Sequence, residues 1–180
     1  MNFCSACGHT VELRIPDGDS FTRYVCPSCG KVHYQNPLLV VGCVPEWNDQ
    51  ILLCRRAIEP RRGYWTIPAG FMENDETLAE GAARETMEEA MARVEIQDLF
   101  AVVDVVHARQ VHVMFRAKLL DGRFGAGAES LEVALFDPED IPWDEIAFLS
   151  VRFALEKFLE DRAAGVVRLH TTAMERRARD

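Results

Sequence analysis

The chain has 180 residues, of which 48% are hydrophobic and 27% are charged, and its formal net charge at pH 7 is -9. This composition indicates a folded globular protein with one main core and room for a small additional unit. The negative charge argues against a nucleic-acid-binding protein, because such proteins neutralise phosphates with Lys and Arg, and no stretch approaches the ~20 apolar residues of a membrane span.

Two cysteine pairs come first along the chain. Cys4 and Cys7 are followed, after eighteen residues, by Cys26 and Cys29, and this spacing predicts a tetrahedral zinc site. The opening residues MNFCSACGHT have neither the basic region nor the apolar run of a signal peptide, so we expect a cytoplasmic protein, where zinc is favoured over disulfides. Residues 1–34 are too few to bury an adequate core alone, and zinc would therefore supply the folding energy of this ribbon. Its three basic and three acidic residues cancel, which favours a structural role, or one in dimerisation or substrate access, over nucleic-acid contact.

The next segment has the pattern of a sheet with two helices. LLVVGCVPEW and QILLCRRA flank the turn signal Asn48-Asp49 and predict a hairpin, in which we interpret Cys43 and Cys54 as core side chains. IEPRRGYWTIPAG predicts a loop and a short strand, and further strands are predicted in VEIQDLFAVVDVVHA, QVHVMFRAKLLD and EVALFDPEDIPWDEIAF. SVRFALEKFLEDRAAG predicts an amphipathic helix that ends at Gly165. The order of elements predicts an α+β sandwich, followed by a tail over residues 171–180 that frays.

The other predicted helix carries a concentration of acidic residues. Seven carboxylates lie within residues 70–89, against a single arginine. The sequence Thr77-Leu-Ala-Glu80 is a capping box and predicts the start of the helix. Glu85, Glu88 and Glu89 then stand at i, i+3 and i+4 on one face, where like charges repel by roughly a few tenths of a kcal/mol per pair. Helix stability alone therefore does not account for the cluster.

The acidic stretch resembles the signature of the Nudix hydrolases, in which a Gly is followed by five residues, a Glu, seven residues, Arg-Glu, two residues and Glu-Glu. These positions are occupied here by Gly70, Glu76, Arg84, Glu85, Glu88 and Glu89. The chain departs from the family pattern at Thr86, where an aliphatic residue is usual, and at Met91 and Ala92, where a glycine and an aliphatic residue are usual. These departures affect the packing face and the end of the helix and leave every carboxylate in place.

The resemblance extends over residues 3–170. Similar proteins place a zinc ribbon before the Nudix domain, and the phrases IPDGD, VHYQNP, LLCRRAIEPRRGYW, IPAGFME and ESLEVALF are similar to a subgroup that includes FAD/ADP-ribose pyrophosphatases. The resemblance implies a Nudix α/β/α sandwich with a mixed sheet over residues 35–170, preceded by the ribbon over residues 1–34. It also implies an enzyme, a metal-dependent pyrophosphohydrolase that cleaves the diphosphate bond of a nucleoside diphosphate derivative such as FAD or ADP-ribose.

The resemblance further implies roles for individual residues. The ligands of a catalytic Mg2+ or Mn2+ would be Glu85, Glu89, Glu88 and the backbone carbonyl of Ala69. Arg84 would orient these glutamates, with Glu76 as its structural partner. A general base in such enzymes often comes from a loop after the signature, where Glu129 is the first candidate and Glu132 the second. The alternative for both is a pair of solvated acids at the start of a strand.

Basic and aromatic residues before the acidic helix are candidates for substrate binding. The four arginines in this region are Arg55, Arg56, Arg61 and Arg62. We expect one or two of them to bind phosphate and the others to be surface charges. Trp65 and Tyr64 are candidates for stacking on a base or an isoalloxazine ring, with core packing as the alternative. The residues that we assign to substrate binding are Arg55, Arg56, Arg62 and Trp65, and Arg61 lies among them.

Two other functions stay open from the sequence. NADH pyrophosphatases also carry a zinc ribbon, but their usual marker, Ser-Gln-Pro-Trp-Pro-Phe-Pro, does not occur in this chain. A non-catalytic Nudix-like domain that senses a nucleotide is the other alternative, and the intact glutamates favour catalysis over it. The expected partner is a small-molecule nucleotide, with neither nucleic acid nor membrane, and we expect a homodimer because similar enzymes commonly form one.

Overall fold

The computed structural model describes residues 1–175, which divide into two compact units. The first unit is Met1–Asn36 and the second begins at Pro37. Within residues 1–175, no helix is long and apolar enough to cross a membrane.

The first unit is a small antiparallel sheet with two cysteine turns. Its strands lie in the order β1 (Glu12–Arg14), β2 (Arg23–Val25) and β3 (Val32–His33). The Gly8 N–H donates to the Cys4 carbonyl at 3.0 Å, and the Gly30 N–H donates to the Cys26 carbonyl at 2.9 Å, so the two turns have the same construction. The buried side chains among the described residues of this unit are Cys4, Val25, Cys26 and His33. So small a core makes the cysteines the centre of the unit.

The second unit contains two α-helices and eight strands within residues 37–175. The helices are α1 (Leu78–Ala90) and α2 (Leu149–Ala164). The strands are β4 (Leu38–Trp47), β5 (Gln50–Arg56), β6 (Trp65–Thr66), β7 (Ala69–Phe71), β8 (Val94–Val105), β9 (Gln110–Leu119), β10 (Ser130–Phe136) and β11 (His170–Ala173).

The strands form one mixed sheet in this described part of the chain. Its order is β10-β5-β4-β9-β8-β11, while β6 pairs with β5 and β7 pairs with β4. β4 is parallel to β9 and β11 is parallel to β8, whereas the other pairings are antiparallel. Neighbouring residues of β9 face opposite sides, because Phe115 packs in a cluster with Ala82 of α1 and Met114 packs in a cluster with Leu155 of α2. The helices therefore cover opposite faces of the sheet, which confirms the predicted α/β/α sandwich.

The predicted hairpin is formed by β4 and β5. Its turn residues Asn48 and Asp49 have φ angles of 49° and 68°, the left-handed conformation that tight hairpin turns require. Cys43 and Cys54 are buried as predicted, and burial raises the pKa of Cys43 to about 12. The Cys43 sulfur lies 3.1 Å from the hydroxyl of Thr86 on α1. The polar residue at position 86 therefore has a partner on the strand that it packs against.

The beginning of the predicted tail is part of the sheet, which corrects the expectation for residues 171–173. β11 pairs in parallel with Ala101–Asp104 of β8. The strand is anchored by Asp161 of α2, whose buried carboxylate lies 2.9 Å from Nε of Arg168 and 2.9 Å from Nε2 of His170. This anchor is made by residues outside the segment that was predicted to fray. Residues 176–180 of the predicted tail lie outside the described residues.

Candidate active site

The acidic helix α1 begins at the predicted capping box. The Thr77 hydroxyl accepts a hydrogen bond from the Glu80 N–H at 3.2 Å, and the Glu80 carboxylate accepts one from the Thr77 N–H at 2.8 Å. The helix ends at Met91, which adopts the left-handed conformation with φ of 49°. A side chain in this conformation costs roughly 1–2 kcal/mol, so the usual glycine of the family pattern would be more stable here than Met91.

Arg84 holds the acidic residues on this side of the helix. Its guanidinium donates to both carboxylate oxygens of Glu76, at 2.9 and 2.8 Å. Nη1 also donates to Glu85 at 2.7 Å and to Glu88 at 3.1 Å, and Nη2 donates to the Phe71 carbonyl at 3.0 Å. The bonds from Arg84 lower the pKa of Glu76 to about 2, so this carboxylate stays ionised. The arginine thus fixes the loop before α1 and two glutamates of α1 together.

Glu85 and Glu89 are buried although both are acids. Their exposed fractions are 8% and 7%. Burial raises the pKa of Glu89 to about 7, and among residues 1–175 its carboxylate accepts only a 3.2 Å hydrogen bond from the Ala69 N–H. Burial also raises the pKa of Glu85, against the opposing effect of Arg84. Two buried carboxylates that lack full compensation create a strongly negative site, and their hard oxygen atoms are the donors that Mg2+ and Mn2+ prefer.

Gly70 allows the strand before α1 to approach these carboxylates. A Cβ atom at position 70 would overlap the Glu85 carboxylate. An alanine at position 70 would therefore move the Glu85 carboxylate from its present place, while the neighbouring Ala69 N–H donates to Glu89.

A cleft of about 690 Å³ opens over this helix face. It brings together most of the predicted site. Its predicted members are Ala69, Arg84, Glu85, Glu88, Glu89, Glu129 and Arg56. Ile58, Phe71 and Glu73 also line the cleft and were missed by the sequence analysis. Phe71 is 51% exposed in the structure, and the signal in the sequence was an aromatic residue directly after the signature glycine.

Four predicted residues do not belong to this group. Trp65 is only 7% exposed and packs edge-on against Phe136 with ring centroids 4.9 Å apart, which favours the alternative of core packing over stacking on a substrate. Arg55 and Glu132 lie outside the cleft lining and face each other at 3.5 Å. Arg62 is exposed and also lies outside the lining.

The four cysteines of the first unit form a separate site. Their sulfur atoms all lie within 4.8 Å of one another, with 3.7 Å between Cys4 and Cys29 and 3.5 Å from Cys7 to both Cys26 and Cys29. Four sulfurs that bind one zinc ion tetrahedrally at ~2.3 Å stand about 3.8 Å apart, so this group fits zinc. Among the described residues, no other group of at least three His, Cys, Asp or Glu side chains has its ligand atoms within 4.8 Å of one another.

Two neighbours support the Cys4 thiolate. The Ala6 N–H contacts the Cys4 sulfur at 3.4 Å and lowers the pKa of Cys4. His33 Nε2 also lies 3.4 Å from this sulfur, and the cysteine spacing gave no indication of this contact. Groups that hydrogen-bond a ligand sulfur orient it and favour the deprotonated form that zinc binds.

Buried carboxylates that face a half-open cleft beside guanidinium groups are typical of hydrolases that break phosphoric anhydrides with a bound cation. Comparison with known proteins gives the family. A model of the Nudix domain matches residues 36–159, and a zinc-ribbon model described as Nudix N-terminal matches residues 2–35. The chain belongs to the Nudix family and is a Nudix hydrolase, which confirms the resemblance seen in the sequence.

Proteins similar to this chain are named for several activities. An ADP-ribose pyrophosphatase of Methanocaldococcus jannaschii is 26% identical over 132 residues, which cover 71% of this chain and 74% of that protein. The NAD-capped RNA hydrolase NudC of Photobacterium profundum is 30% identical over 138 residues, which cover 76% of this chain but 49% of that protein. A crystal structure of a Nudix hydrolase from Nitrosomonas europaea is 55% identical with a TM-score of 0.95, and the match covers 98% of this chain and 100% of that chain.

Proposed function

We propose that this Nudix hydrolase cleaves the diphosphate bond of ADP-ribose or FAD with Mg2+ or Mn2+ held by Glu85, Glu88 and Glu89. The observation that carries the proposal is the pair of buried glutamates, because burial of two acids on one helix face is unfavourable without a cation. The products would be AMP together with ribose 5-phosphate or FMN. Water adds to one phosphorus atom and the bond from that phosphorus to the bridging oxygen breaks.

The carboxylates of α1 have separate tasks in this proposal. The chemistry that Mg2+ or Mn2+ supplies when bound is polarisation of a phosphoryl oxygen and activation of water. Glu85 and Glu89 supply the most strongly desolvated oxygen atoms, and Glu88 supplies a more exposed one. Arg84 keeps Glu85 and Glu88 on the cleft side of the helix through its bonds at 2.7 and 3.1 Å.

Glu129 is the proposed general base. It lines the same cleft as Glu85 and Glu89, and its negative charge contributes to the raised pKa of both carboxylates. Glu132 was the second candidate, but it lies outside the cleft beside Arg55. The contacts of the two glutamates therefore favour Glu129.

Arg56 is the proposed phosphate-binding residue. It lines the cleft, and its charge opposes the rise in the pKa of Glu89. Its Nε donates to the Pro60 carbonyl at 2.9 Å, and its guanidinium lies 5.1 Å from the centre of the Phe148 ring. These contacts hold the side chain while leaving its terminal nitrogens for phosphate oxygens. Arg55, its neighbour in β5, provides a matched control outside the cleft.

The comparisons support ADP-ribose, and they also include relatives named for an NAD-containing substrate, so NADH stays as a second candidate. The methanogen relative is named as an ADP-ribose pyrophosphatase, whereas several relatives at 30% identity or more are named as NAD-capped RNA hydrolases. All these substrates contain an adenosine diphosphate linked to a second group, and the exposed faces of Ile58 and Phe71 in the cleft suit apolar contact with such a group. The proposal ranks ADP-ribose and FAD above NADH because the marker of NADH pyrophosphatases is missing from the sequence.

The test is release of AMP from ADP-ribose, FAD and NADH with Mg2+ or Mn2+, for the wild type and for Glu89→Gln. Glu132→Gln is the control, because it removes the same charge outside the cleft. The proposal requires release that depends on the metal and on Glu89, with a loss of roughly 100-fold or more in Glu89→Gln and little change in Glu132→Gln. Nucleotide binding without any release would indicate the non-catalytic alternative instead.

A further inference from the structure

The loop that carries Glu129 is attached to the end of the acidic helix. The glycine-rich segment Gly122–Gly127 lies between β9 and β10, and two of its N–H groups donate to carbonyls of the last turn of α1. Gly125 donates to Ala90 at 2.8 Å, and Gly127 donates to Glu89 at 3.0 Å. The last carbonyls of a helix have no partner within the helix, so the loop supplies what α1 lacks.

Gly127 packs directly against the backbone of the last turn of the helix. A Cβ atom at position 127 would overlap the backbone carbonyl of Glu88, which belongs to a rigid helical turn. At Gly125 a Cβ would meet only the Met91 sulfur at 3.8 Å, an ordinary contact. The two glycines are therefore different: position 127 requires glycine for space, and position 125 tolerates alanine.

The backbone of Glu129 is held from two sides just after this contact. The Ser130 N–H donates to the Gly127 carbonyl at 3.1 Å and closes a turn around Glu129. The Ala57 N–H, directly after β5, donates to the Glu129 carbonyl at 2.8 Å. Glu129 thus stands between the end of α1 and the loop that begins at Ala57, two residues from the contact of Gly127 with α1.

We propose that Gly127 is a positioning residue, which sets the distance between Glu129 and the carboxylates of α1 by docking the glycine-rich segment on the last turn of the helix. This inference rests on the proposed function, in which Glu129 is the general base. An alanine at position 127 pushes the segment away from the Glu88 carbonyl and moves Glu129 with it. Displacement of a catalytic group by about 1 Å is enough to lower a rate by up to about 100-fold.

The test compares Gly127→Ala with Gly125→Ala, the same change two residues earlier in the same loop. We expect Gly127→Ala to lower kcat at least about tenfold with KM changed less than about threefold, because the substrate-binding groups are untouched. Gly125→Ala should keep both constants within about twofold of the wild type. Thermal unfolding of both variants identifies a temperature at which both are folded, and all kinetics are measured there.

A double-mutant cycle separates positioning from a general loss of structure. In the Glu129→Gln background, Gly127→Ala should lower kcat by less than about twofold, because the group that it positions is already removed. Ala57→Pro removes the hydrogen bond from the other support of Glu129 and should likewise lower kcat. An unchanged kcat in this variant would show that the position of Glu129 does not limit the reaction, which overturns the inference even if Gly127→Ala does not fold.

The outcomes distinguish this inference from the proposed function. It is overturned if Gly127→Ala behaves like Gly125→Ala, if Gly127→Ala and Glu129→Gln lower kcat independently, or if Glu129→Gln remains fully active. In each of these cases, a wild-type activity that still requires Glu89 would leave the proposed function intact. A wild type that releases no AMP from any substrate would instead refute the proposed function itself.

Discussion

Replacement of Glu89 by glutamine should stabilise the metal-free protein. Burial raises the pKa of Glu89 from 4.5 to about 7, so between these pH values the folded chain holds a proton that the unfolded chain has released. Because the folded state binds more protons in this window, the free energy of unfolding decreases as the pH rises from about 4.5 to about 7. At about 1.4 kcal/mol for each tenfold change in the dissociation constant, the penalty above pH 7 is at most about 3 kcal/mol. Glutamine removes the charge and keeps an oxygen for the Ala69 N–H.

The assay is chemical denaturation at pH 8 and at pH 4.5 in resin-treated buffer, which removes free divalent ions and leaves thiolate-bound zinc in place. Glu89→Gln should be more stable than the wild type at pH 8, and the two should converge near pH 4.5. Saturating Mg2+ should then stabilise the wild type by mass action and have much less effect on Glu89→Gln. The difference in free energy of unfolding between Glu89→Gln and the wild type at pH 8 should therefore become smaller, or change sign, when Mg2+ is added.

Glu88→Gln is the matched control for this prediction. Its side chain is 57% exposed, so it keeps most of its hydration in the folded protein and its replacement should change the stability of the metal-free protein little. A metal-free Glu89→Gln protein that is less stable than the wild type at pH 8 would refute the reasoning, because the buried charge would then have a compensating partner in the absence of metal.

The ion pairs and the cysteine site give three further tests. Arg84→Met leaves Glu76 without its partner and should lower the free energy of unfolding by about 1–3 kcal/mol in urea denaturation, and an unchanged value would show that the pair is not stabilising. Zinc analysis should find one ion per chain, and its removal should abolish hydrogen-exchange protection in residues 1–36, whereas persistent protection would contradict the zinc assignment. Although burial opposes it, hydrogen bonding to His170 lowers the pKa of Asp161 from 3.8 to about 2, so its contribution to stability is present above pH 4 and lost as the pH falls towards 2. In Asp161→Asn, the free energy of unfolding should change less between pH 4 and pH 2 than in the wild type. An unchanged slope would contradict the lowered pKa of Asp161.

The parts of the fold that the sequence predicted are those encoded by nearby residues. The capping box of Thr77 and Glu80 and the hairpin turn at Asn48-Asp49 lie within four residues of the groups that they organise. The cysteine pairs are similar, because each turn is formed by a Cys-x-x-Cys-Gly segment. Such signals depend little on the rest of the chain, and the structure bears them out.

Long-range pairing accounts for the differences from the sequence analysis. β11 escaped prediction because its partner strand and its anchor, Asp161, are both outside the short polar segment that was assessed. Two adjacent arginines of β5 have opposite environments, since successive strand residues face opposite ways and only Arg56 lines the cleft. Trp65 is buried because its strand joins the core, where Phe136 of β10 covers the ring. In each case the deciding neighbour comes from a distant part of the sequence.

The short distance between Gly70 and the Glu85 carboxylate has a consequence for the comparison of related sequences. The acidic cluster depends on an uncharged residue, because a methyl group at position 70 would overlap the Glu85 carboxylate. Because Glu85 is a proposed metal ligand, we expect a glycine-to-alanine change at this position to lower activity while every glutamate of the motif remains. The sequence of such a variant would still contain every glutamate of the signature. Under the proposed function, the glycine should therefore be read together with the glutamates when such a sequence is compared with its relatives.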